Sequence, residues 1–167
     1  MPGGWHNATE ETLDAERTGY QPKPPSELYW EDVKEGDELP TLVMPINVTR
    51  CVMMASASRD FAPQHHHREY AQTRSKTKDM FLGTHFNAGM MSRFMTDWAG
   101  PLSTVRRIRL GLRRSICAGE DMIINGRVSR KFEKDGEHRV DIDIDVSTQN
   151  GPAYECGGTL ALPTRNS

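Results

Sequence analysis

Asp60 and His65 lie close together in the chain, within residues 58–65, and their side chains form a potential acid/base pair. An imidazole titrates near neutral pH while a carboxylate stays ionised, so one group can take a proton from water while the other orients that water or returns a proton. Pro63 fixes its own φ and pushes Ala62 towards extended conformations, which leaves the loop few states to lose on ordering. The local pattern also fits a simple surface hydrogen bond. The surrounding elements are therefore needed to distinguish a catalytic pair from such a bond.

Two elements lead into this loop. Residues 39–48 form an extended run interrupted by Pro45, which predicts an edge strand because proline removes a ladder donor. Thr49 is then expected to cap a helix over residues 50–58, which has apolar residues at helical spacing. The sequence therefore places the acid/base pair where a helix stops and the chain turns.

A second helix is predicted over residues 85–98, and most of one side of it is apolar, so it is expected to be buried. Gly89 within it is expected at a point of close approach. Gly83 and Thr84 precede the helix, where an N–H group has no intrahelical partner and lies at the positive end of the helix dipole. Either backbone N–H could therefore hold an oxygen that gains negative charge.

Extended segments follow this helix. Residues 105–116 and 139–146 alternate apolar with charged side chains, residues 122–132 are less regular, and a last strand covers residues 154–162. Turn sequences around Gly119, Gly136 and Gly151 separate them. The pattern predicts an antiparallel meander closed around one long helix, which is the α+β architecture called the hot-dog fold.

Several of these stretches resemble the MaoC-like hydratase family. Asp60-x-x-Pro63-x-His65 resembles its Asp-x-Asn-Pro-x-His signature, with Ala62 in place of the asparagine, and residues 29–40 and 118–121 resemble its entry segment and its Pro-Gly-Asp turn. The similarity extends over residues 28–163. Residues 59–61, 65–66, 78–81 and 96–101 are more similar still to the hydratase subunits of steroid side-chain catabolism.

The resemblance implies an (R)-specific enoyl-CoA hydratase, which adds water syn across a trans-2-enoyl-CoA, here with a bulky or steroid-type acyl group. In that family, residues at the positions of Asp60 and His65 contact one water. A backbone N–H of Gly83 or Thr84 would bind the thioester oxygen. Ser92 aligns with a serine that assists in some members, although it equally suits a hydrogen bond back to a helix carbonyl. No cofactor is expected, because the substrate itself carries coenzyme A.

The densest basic stretch contains Arg106, Arg107, Arg109, Arg113 and Arg114. A solvated strand face balanced by the aspartates of residues 139–146 explains it. The sharper hypothesis is that Arg107 and Arg109 hold phosphates of coenzyme A, which a guanidinium fork fits well. A group of methionines also allows two interpretations. They could be ordinary core residues, or they could form an adaptable lining for a large acyl group. The group consists of Met53, Met54, Met80, Met90, Met91 and Met95.

Other features argue against metal, disulfide, nucleic-acid and membrane functions. His65, His66 and His67 alternate in direction along an extended loop and have no further ligand at suitable spacing, so no metal site is predicted. The 3 cysteines are far apart in the sequence and are expected to be buried small hydrophobic residues. A net charge of −2 gives no support to nucleic-acid binding. No apolar run approaches the roughly 20 residues of a membrane span, and no secretion signal is recognisable, which predicts a cytoplasmic protein.

We expect a single domain over residues 28–167, preceded by an arm over residues 1–27 that is either flexible or in contact with a partner subunit. Hot-dog subunits usually complete their sites by pairing, so a homodimer or higher oligomer, or a heteromer with a second hot-dog subunit, is expected. Two other functions stay open. A carboxylate could activate water against the thioester carbonyl, as in an acyl-CoA thioesterase, or the chain could be a non-catalytic subunit that shapes a partner's pocket.

Overall fold

The computed structural model describes residues 27–165, and over this range one antiparallel sheet packs against a long helix. The helices are α1 (Val48–Ser58), α2 (Arg68–Thr73) and α3 (Thr84–Ala99). The strands are β1 (Glu38–Ile46), β2 (Thr104–Arg109), β3 (Glu120–Lys134), β4 (Glu137–Thr148) and β5 (Gly151–Leu162). The arm predicted at the N-terminus lies outside the described residues, except for residue 27.

The strand order across the sheet is β1-β3-β4-β5-β2. Strands β3, β4 and β5 form the predicted meander, and β1 is the predicted edge strand that accommodates Pro45. The expectation of a fully sequential meander is wrong for β2, which pairs with β5 at the opposite edge instead of with β3. Because α3 packs against both β1 and β5, it carries the chain across the sheet before β2 begins.

Strand β4 shows how the sequence pattern builds the core. Its apolar side chains Val140, Ile142, Ile144 and Val146 are buried, while Asp143 and Asp145 on the other face are exposed. This alternation places one face of the sheet against α3 and the other in water, as predicted.

Helix α3 approaches the sheet closely because the strands beneath it carry glycines. A Cβ on Gly126 would lie 2.6 Å from Phe94, and a Cβ on Gly158 would lie 2.4 Å from the Met95 sulfur. The prediction that Gly89 provides the close approach is wrong, since a Cβ there would meet nothing within 4 Å. The close packing of α3 on the sheet is therefore made possible by glycines of the strands, and not by the glycine within the helix.

Two local predictions need correction. The cap of α1 is Asn47 and not Thr49, because the Asn47 side chain accepts a hydrogen bond of 2.8 Å from the Arg50 N–H. The strand predicted over residues 105–116 ends at Arg109. Beyond it the backbone N–H groups of Arg113 and Arg114 both reach the carbonyl of Ala153, which bends the chain away from a regular ladder.

Candidate active site

The end of α1 positions Asp60. The helix stops at Arg59, which adopts a left-handed conformation with φ of 55° and so turns the chain sharply. A 3-10 turn over Pro63–His65 then brings His65 back towards Asp60. Asp60 and His65 are five positions apart, and the turn at Pro63 brings their side chains together. The sequence pattern predicted this convergence.

The two side chains face each other. Nε2 of His65 lies 3.4 Å from Oδ2 of Asp60, and the His65 side chain is 5% exposed while that of Asp60 is 31% exposed. On the other side of the ring, Nδ1 of His65 lies 2.7 Å from the carbonyl oxygen of Phe81. The Phe81 ring also packs edge-on against the imidazole. The His65 ring is therefore fixed on its Nδ1 side by Phe81, while the Asp60 carboxylate remains accessible to a ligand.

The Phe81 carbonyl decides the tautomer of His65. A carbonyl oxygen only accepts, so Nδ1 carries the hydrogen and the neutral ring presents a lone pair on Nε2. That lone pair and the Asp60 carboxylate are both acceptors, so a water molecule that donates one O–H to each would satisfy both. Such a water would keep its own lone pairs free to attack a carbon atom.

The N-terminus of α3 lies beside this pair. Gly83 is the N-cap residue, and a Cβ built on it would lie 3.5 Å from Oδ2 of Asp60. Within residues 27–165, neither the Gly83 N–H nor the Thr84 N–H donates a hydrogen bond. The predicted pair of donors is thus free and adjacent to the acid/base pair.

These groups share one cavity of about 400 Å³. Its walls come from the Asp60 loop, the start of α3, the irregular segment after β2, and one residue of β5. The lining residues are Asp60, Gln64, His65, Phe81, Leu82, Gly83, Thr84, Asn87, Leu112, Arg113, Arg114, Ser115 and Tyr154.

Asn87 and Tyr154 are cavity residues that sequence reasoning missed. Asn87 is 1% exposed, its Nδ2 donates a hydrogen bond of 3.3 Å to the Tyr154 hydroxyl, and its Oδ1 is buried with no partner among the described residues. A buried polar atom without a partner costs about 1–3 kcal/mol of stability. Burial raises the pKa of Tyr154 to about 12, so the phenol keeps its proton. A polar residue four positions after Gly83 on an apolar helix face was the available signal.

Glu120 and Arg114 brace the part of the cavity wall formed by residues 112–115. The Glu120 carboxylate is 4% exposed and accepts hydrogen bonds from the Cys117 N–H, Arg114 and Asn150. Burial by itself raises the pKa of Glu120, but these hydrogen bonds together outweigh it and lower the pKa below its ordinary value. Arg114 also donates to Thr148 and to the carbonyl of Pro152, so its guanidinium serves mainly to hold this wall in place.

The remaining predicted site residues lie outside the cavity wall. Arg107 and Arg109 are exposed on β2, and Arg109 lies 3.8 Å from Asp143, which agrees with the charge-balance interpretation for that residue. Arg109 reaches Asp143 across Gly157, where a Cβ would lie 2.9 Å from the guanidinium. Ser92 does not line the cavity, so its assisting role stays a prediction.

The methionines of α1 and α3 do not line this cavity either. Met53 is exposed, and the other methionines of the group predicted from sequence are buried in the core. Ordinary core packing therefore describes Met80, Met90, Met91 and Met95, while Met54 is buried beside Gly83.

Other candidate chemistries find no support in this range of the chain. Between residues 27 and 165, no group of three or more His, Cys, Asp or Glu side chains is close enough to hold a metal ion. The Nδ1 atom of His67 instead caps α2 by accepting from the Tyr70 N–H at 3.1 Å. All three cysteines are buried free thiols, as predicted, and burial raises the pKa of Cys51 to about 11. Among the same residues, no helix has the length and apolar character of a membrane span.

Comparison with known proteins identifies the family. No protein-family model matches the chain. The chain is 34% identical to the 3-oxo-4,17-pregnadiene-20-carboxyl-CoA hydratase beta subunit of Mycobacterium tuberculosis over 94 residues. This matched region covers 56% of this chain and 72% of that protein.

Solved structures agree with this relationship. The ChsH1-ChsH2 complex from Mycobacterium tuberculosis contains a chain that matches with a TM-score of 0.71 and 27% identity, over 78% of this chain and 98% of that one. The R-hydratase PhaJ1 from Pseudomonas aeruginosa matches with a TM-score of 0.73 and 20% identity, over 83% of this chain and 88% of that one. The predicted hot-dog fold is therefore confirmed. The chain belongs to the MaoC-like hydratase family, together with the hydratase subunits of steroid side-chain catabolism.

Proposed function

We propose that this chain is the catalytic subunit of an (R)-specific enoyl-CoA hydratase, which adds water syn across a trans-2-enoyl-CoA. The observation that carries the proposal is the approach of His65 Nε2 to Asp60 Oδ2 at 3.4 Å, with Nδ1 held by the Phe81 carbonyl. Both groups open onto a cavity that also contains the free N–H groups at the start of α3.

In the proposed reaction, Asp60 orients a water molecule and His65 takes its proton. As the water oxygen bonds to the β-carbon, the O–H bond breaks and the proton moves to Nε2, while the π electrons move onto the thioester as an enolate. The resulting imidazolium lies next to the Asp60 carboxylate, whose charge stabilises it. Nε2 then returns the proton to the α-carbon from the same face, which completes a syn addition.

The enolate needs a donor for its oxygen. The Gly83 and Thr84 N–H groups suit this role because they combine unpaired donors with the positive end of the α3 dipole. Coenzyme A enters as part of the substrate, so the proposed reaction requires no separate cofactor. Arg107 and Arg109 are proposed to bind its phosphates, since β2 leads directly into residues 112–115 of the cavity wall.

A bulky acyl group is proposed because the M. tuberculosis relative is named for a steroid-type CoA thioester. The same relative is a beta subunit, and a matching structure is a complex of two different chains. We therefore propose that this chain pairs with a second hot-dog subunit. The presence of both Asp60 and His65 favours a catalytic role for this chain over a purely structural one.

The test is a product analysis. The purified protein, alone and together with a co-expressed hot-dog partner, is incubated with crotonyl-CoA and with 3-oxo-4,17-pregnadiene-20-carboxyl-CoA. Formation of 3-hydroxyacyl-CoA supports hydration, whereas release of free CoA indicates a thioesterase. A different result would identify this chain as the non-catalytic subunit: hydration would require an intact acid/base pair in the partner, and Asp60→Asn in this chain would leave the rate unchanged.

A further inference from the structure

We propose that the side-chain amide of Asn87 donates a hydrogen bond to the thioester oxygen, beside the helix N-terminal N–H groups, and that Tyr154 positions it. The inference rests on the proposed function and names a donor that the backbone alone does not supply. Asn87 would be a catalytic residue, since it touches the reacting group, and Tyr154 would act through it.

The position of Asn87 on α3 suits this role. Its backbone N–H donates to the Gly83 carbonyl at 3.2 Å, so it stands one helical turn beyond the N-cap. Side chains on a helix lean towards its N-terminus, which directs Asn87 towards the turn that contains Gly83 and Thr84. All of these residues line the same cavity as Asp60 and His65.

The hydrogen bonding of Asn87 leaves one end of the amide unused. Nδ2 donates to the Tyr154 oxygen at 3.3 Å, so the phenol oxygen acts as an acceptor in this arrangement. Among residues 27–165 the phenol hydrogen has no acceptor, and Oδ1 of Asn87 has no donor.

A half turn of the amide about its Cβ–Cγ bond removes both deficiencies. Tyr154 then donates its hydrogen to Oδ1, and Nδ2 becomes a free N–H donor. The phenol keeps the required hydrogen, because burial raises the pKa of Tyr154 to about 12. A hydrogen bond received at Oδ1 polarises the amide and makes Nδ2 a better donor, since linked hydrogen bonds in a buried site strengthen one another.

The free donor needs an acceptor that arrives with a ligand. In the proposed reaction that acceptor is the thioester oxygen, which gains negative charge as the enolate forms. A pre-positioned amide N–H in a water-poor site stabilises such charge more in the transition state than in the ground state. A packing role alone would not need an amide here, because leucine has a similar volume without any polar atom to satisfy.

The experiment compares variants of the full chain in the complex that gives activity. Asn87→Leu removes the donor at similar volume, Asn87→Asp replaces Nδ2 by an acceptor, and Tyr154→Phe removes only the hydroxyl group. Thr96→Val on the same helix is the control, because its hydroxyl bonds the Ser92 carbonyl and the residue lies outside the cavity wall. The kcat and KM for crotonyl-CoA and the melting temperature are measured for each.

We expect Asn87→Leu and Asn87→Asp to lower kcat by about 10²-fold to 10³-fold with little change in KM. Tyr154→Phe should lower kcat by up to about tenfold. Thr96→Val should retain wild-type kinetics. Equal kcat values for wild type, Asn87→Leu and Asn87→Asp, with wild type active, would overturn the inference and leave the proposed function standing.

A binding measurement separates the two proposals and does not require turnover. Dissociation constants are measured for butyryl-CoA and for its thioether analogue S-butyl-CoA, which lacks the carbonyl oxygen. We expect wild type to prefer the thioester and Asn87→Leu to lose most of that preference, even if wild type hydrated no enoyl-CoA. A thioester preference that is unchanged in folded Asn87→Asp would contradict the assignment.

Discussion

The carbonyl oxygen of Phe81 lies 2.7 Å from Nδ1 of His65. This contact determines what His65 can do, because it places the ring hydrogen on Nδ1 and leaves the Nε2 lone pair facing Asp60. The Phe81 backbone is itself held by a bridge to Cys117. The tautomer of the proposed base is thus set by the main chain, so side-chain substitutions at Phe81 should leave it in place.

Removing either member of the acid/base pair should strongly reduce the rate of hydration. Asp60→Asn keeps the side-chain volume but replaces the carboxylate, and His65→Ala removes the base, so each should lower kcat by about 10²-fold to 10⁴-fold. Initial rates with crotonyl-CoA measure this effect. The exposed neighbour substitution His66→Ala is the control and should retain full activity. Full rates in both Asp60→Asn and His65→Ala would show that the pair is assigned wrongly.

Replacing either of two glycines at α3 by alanine should have different effects: one substitution should lower kcat, and the other should raise stability only. A Cβ at Gly83 would lie 3.1 Å from the Met54 sulfur and 3.5 Å from Asp60 Oδ2, so Gly83→Ala should disturb the site and lower kcat by about 10-fold to 100-fold. A Cβ at Gly89 would meet nothing within 4 Å, so Gly89→Ala should stabilise the helix by about 0.5–1 kcal/mol at unchanged kcat. Kinetics and chemical denaturation check the pair, and identical effects would contradict the assignment of Gly83 to the site.

Glu120 should make folding sensitive to acid. Its pKa is lower in the folded protein than its ordinary value of 4.5, so its stabilising contribution is present above that pH and is lost as the pH falls through the folded pKa. Glu120→Gln should therefore lower the free energy of unfolding at pH 7 by about 1–3 kcal/mol. The difference from wild type should shrink in urea titrations at progressively lower pH.

Glu155→Gln serves as the matched control for Glu120. Glu155 also pairs with an arginine, Arg113, but both side chains are more than half exposed. Solvent screens such a pair, so this substitution should change the free energy of unfolding little at any pH. A larger loss in Glu155→Gln than in Glu120→Gln would contradict the bracing role of the buried carboxylate.

Charge reversal on β2 tests the proposed contact with coenzyme A. The double variant Arg107→Glu, Arg109→Glu should raise KM for crotonyl-CoA and leave kcat unchanged, and added salt should reduce the difference. Lys134→Glu reverses one charge at the β3–β4 hairpin, at the end of the sheet away from Tyr154 and the cavity, and should leave KM unaltered. An unchanged KM in the double variant would exclude these arginines from substrate binding.

Local sequence was sufficient for much of the architecture. The alternation in β4, the buried face of α3 and the position of Pro45 at an edge all follow from side-chain periodicity and backbone chemistry, which act over a few residues. The convergence of Asp60 and His65 was equally accessible, because a helix end and a proline turn connect them directly. These features needed no knowledge of distant parts of the chain.

Sequence periodicity could not place β2 or the glycines beneath α3. The order of strands depends on where a long helix carries the chain, and the pattern within a strand does not encode its neighbour. Gly126 and Gly158 matter because Phe94 and Met95 lie against them in space. In the sequence they are ordinary glycines in an extended run.

The sequence by itself determined an acid/base pair in a tight loop, a buried helix with free N–H groups at its start, and an antiparallel sheet of amphipathic strands. Only the tertiary structure brought Tyr154 to Asn87, 67 positions apart, and the Phe81 carbonyl to His65. Periodicity reports which face of an element is buried, whereas hydrogen-bond partners between elements depend on strand order, helix placement and close packing. The proposed chemistry begins with residues the chain places near each other and is completed by contacts that folding alone creates.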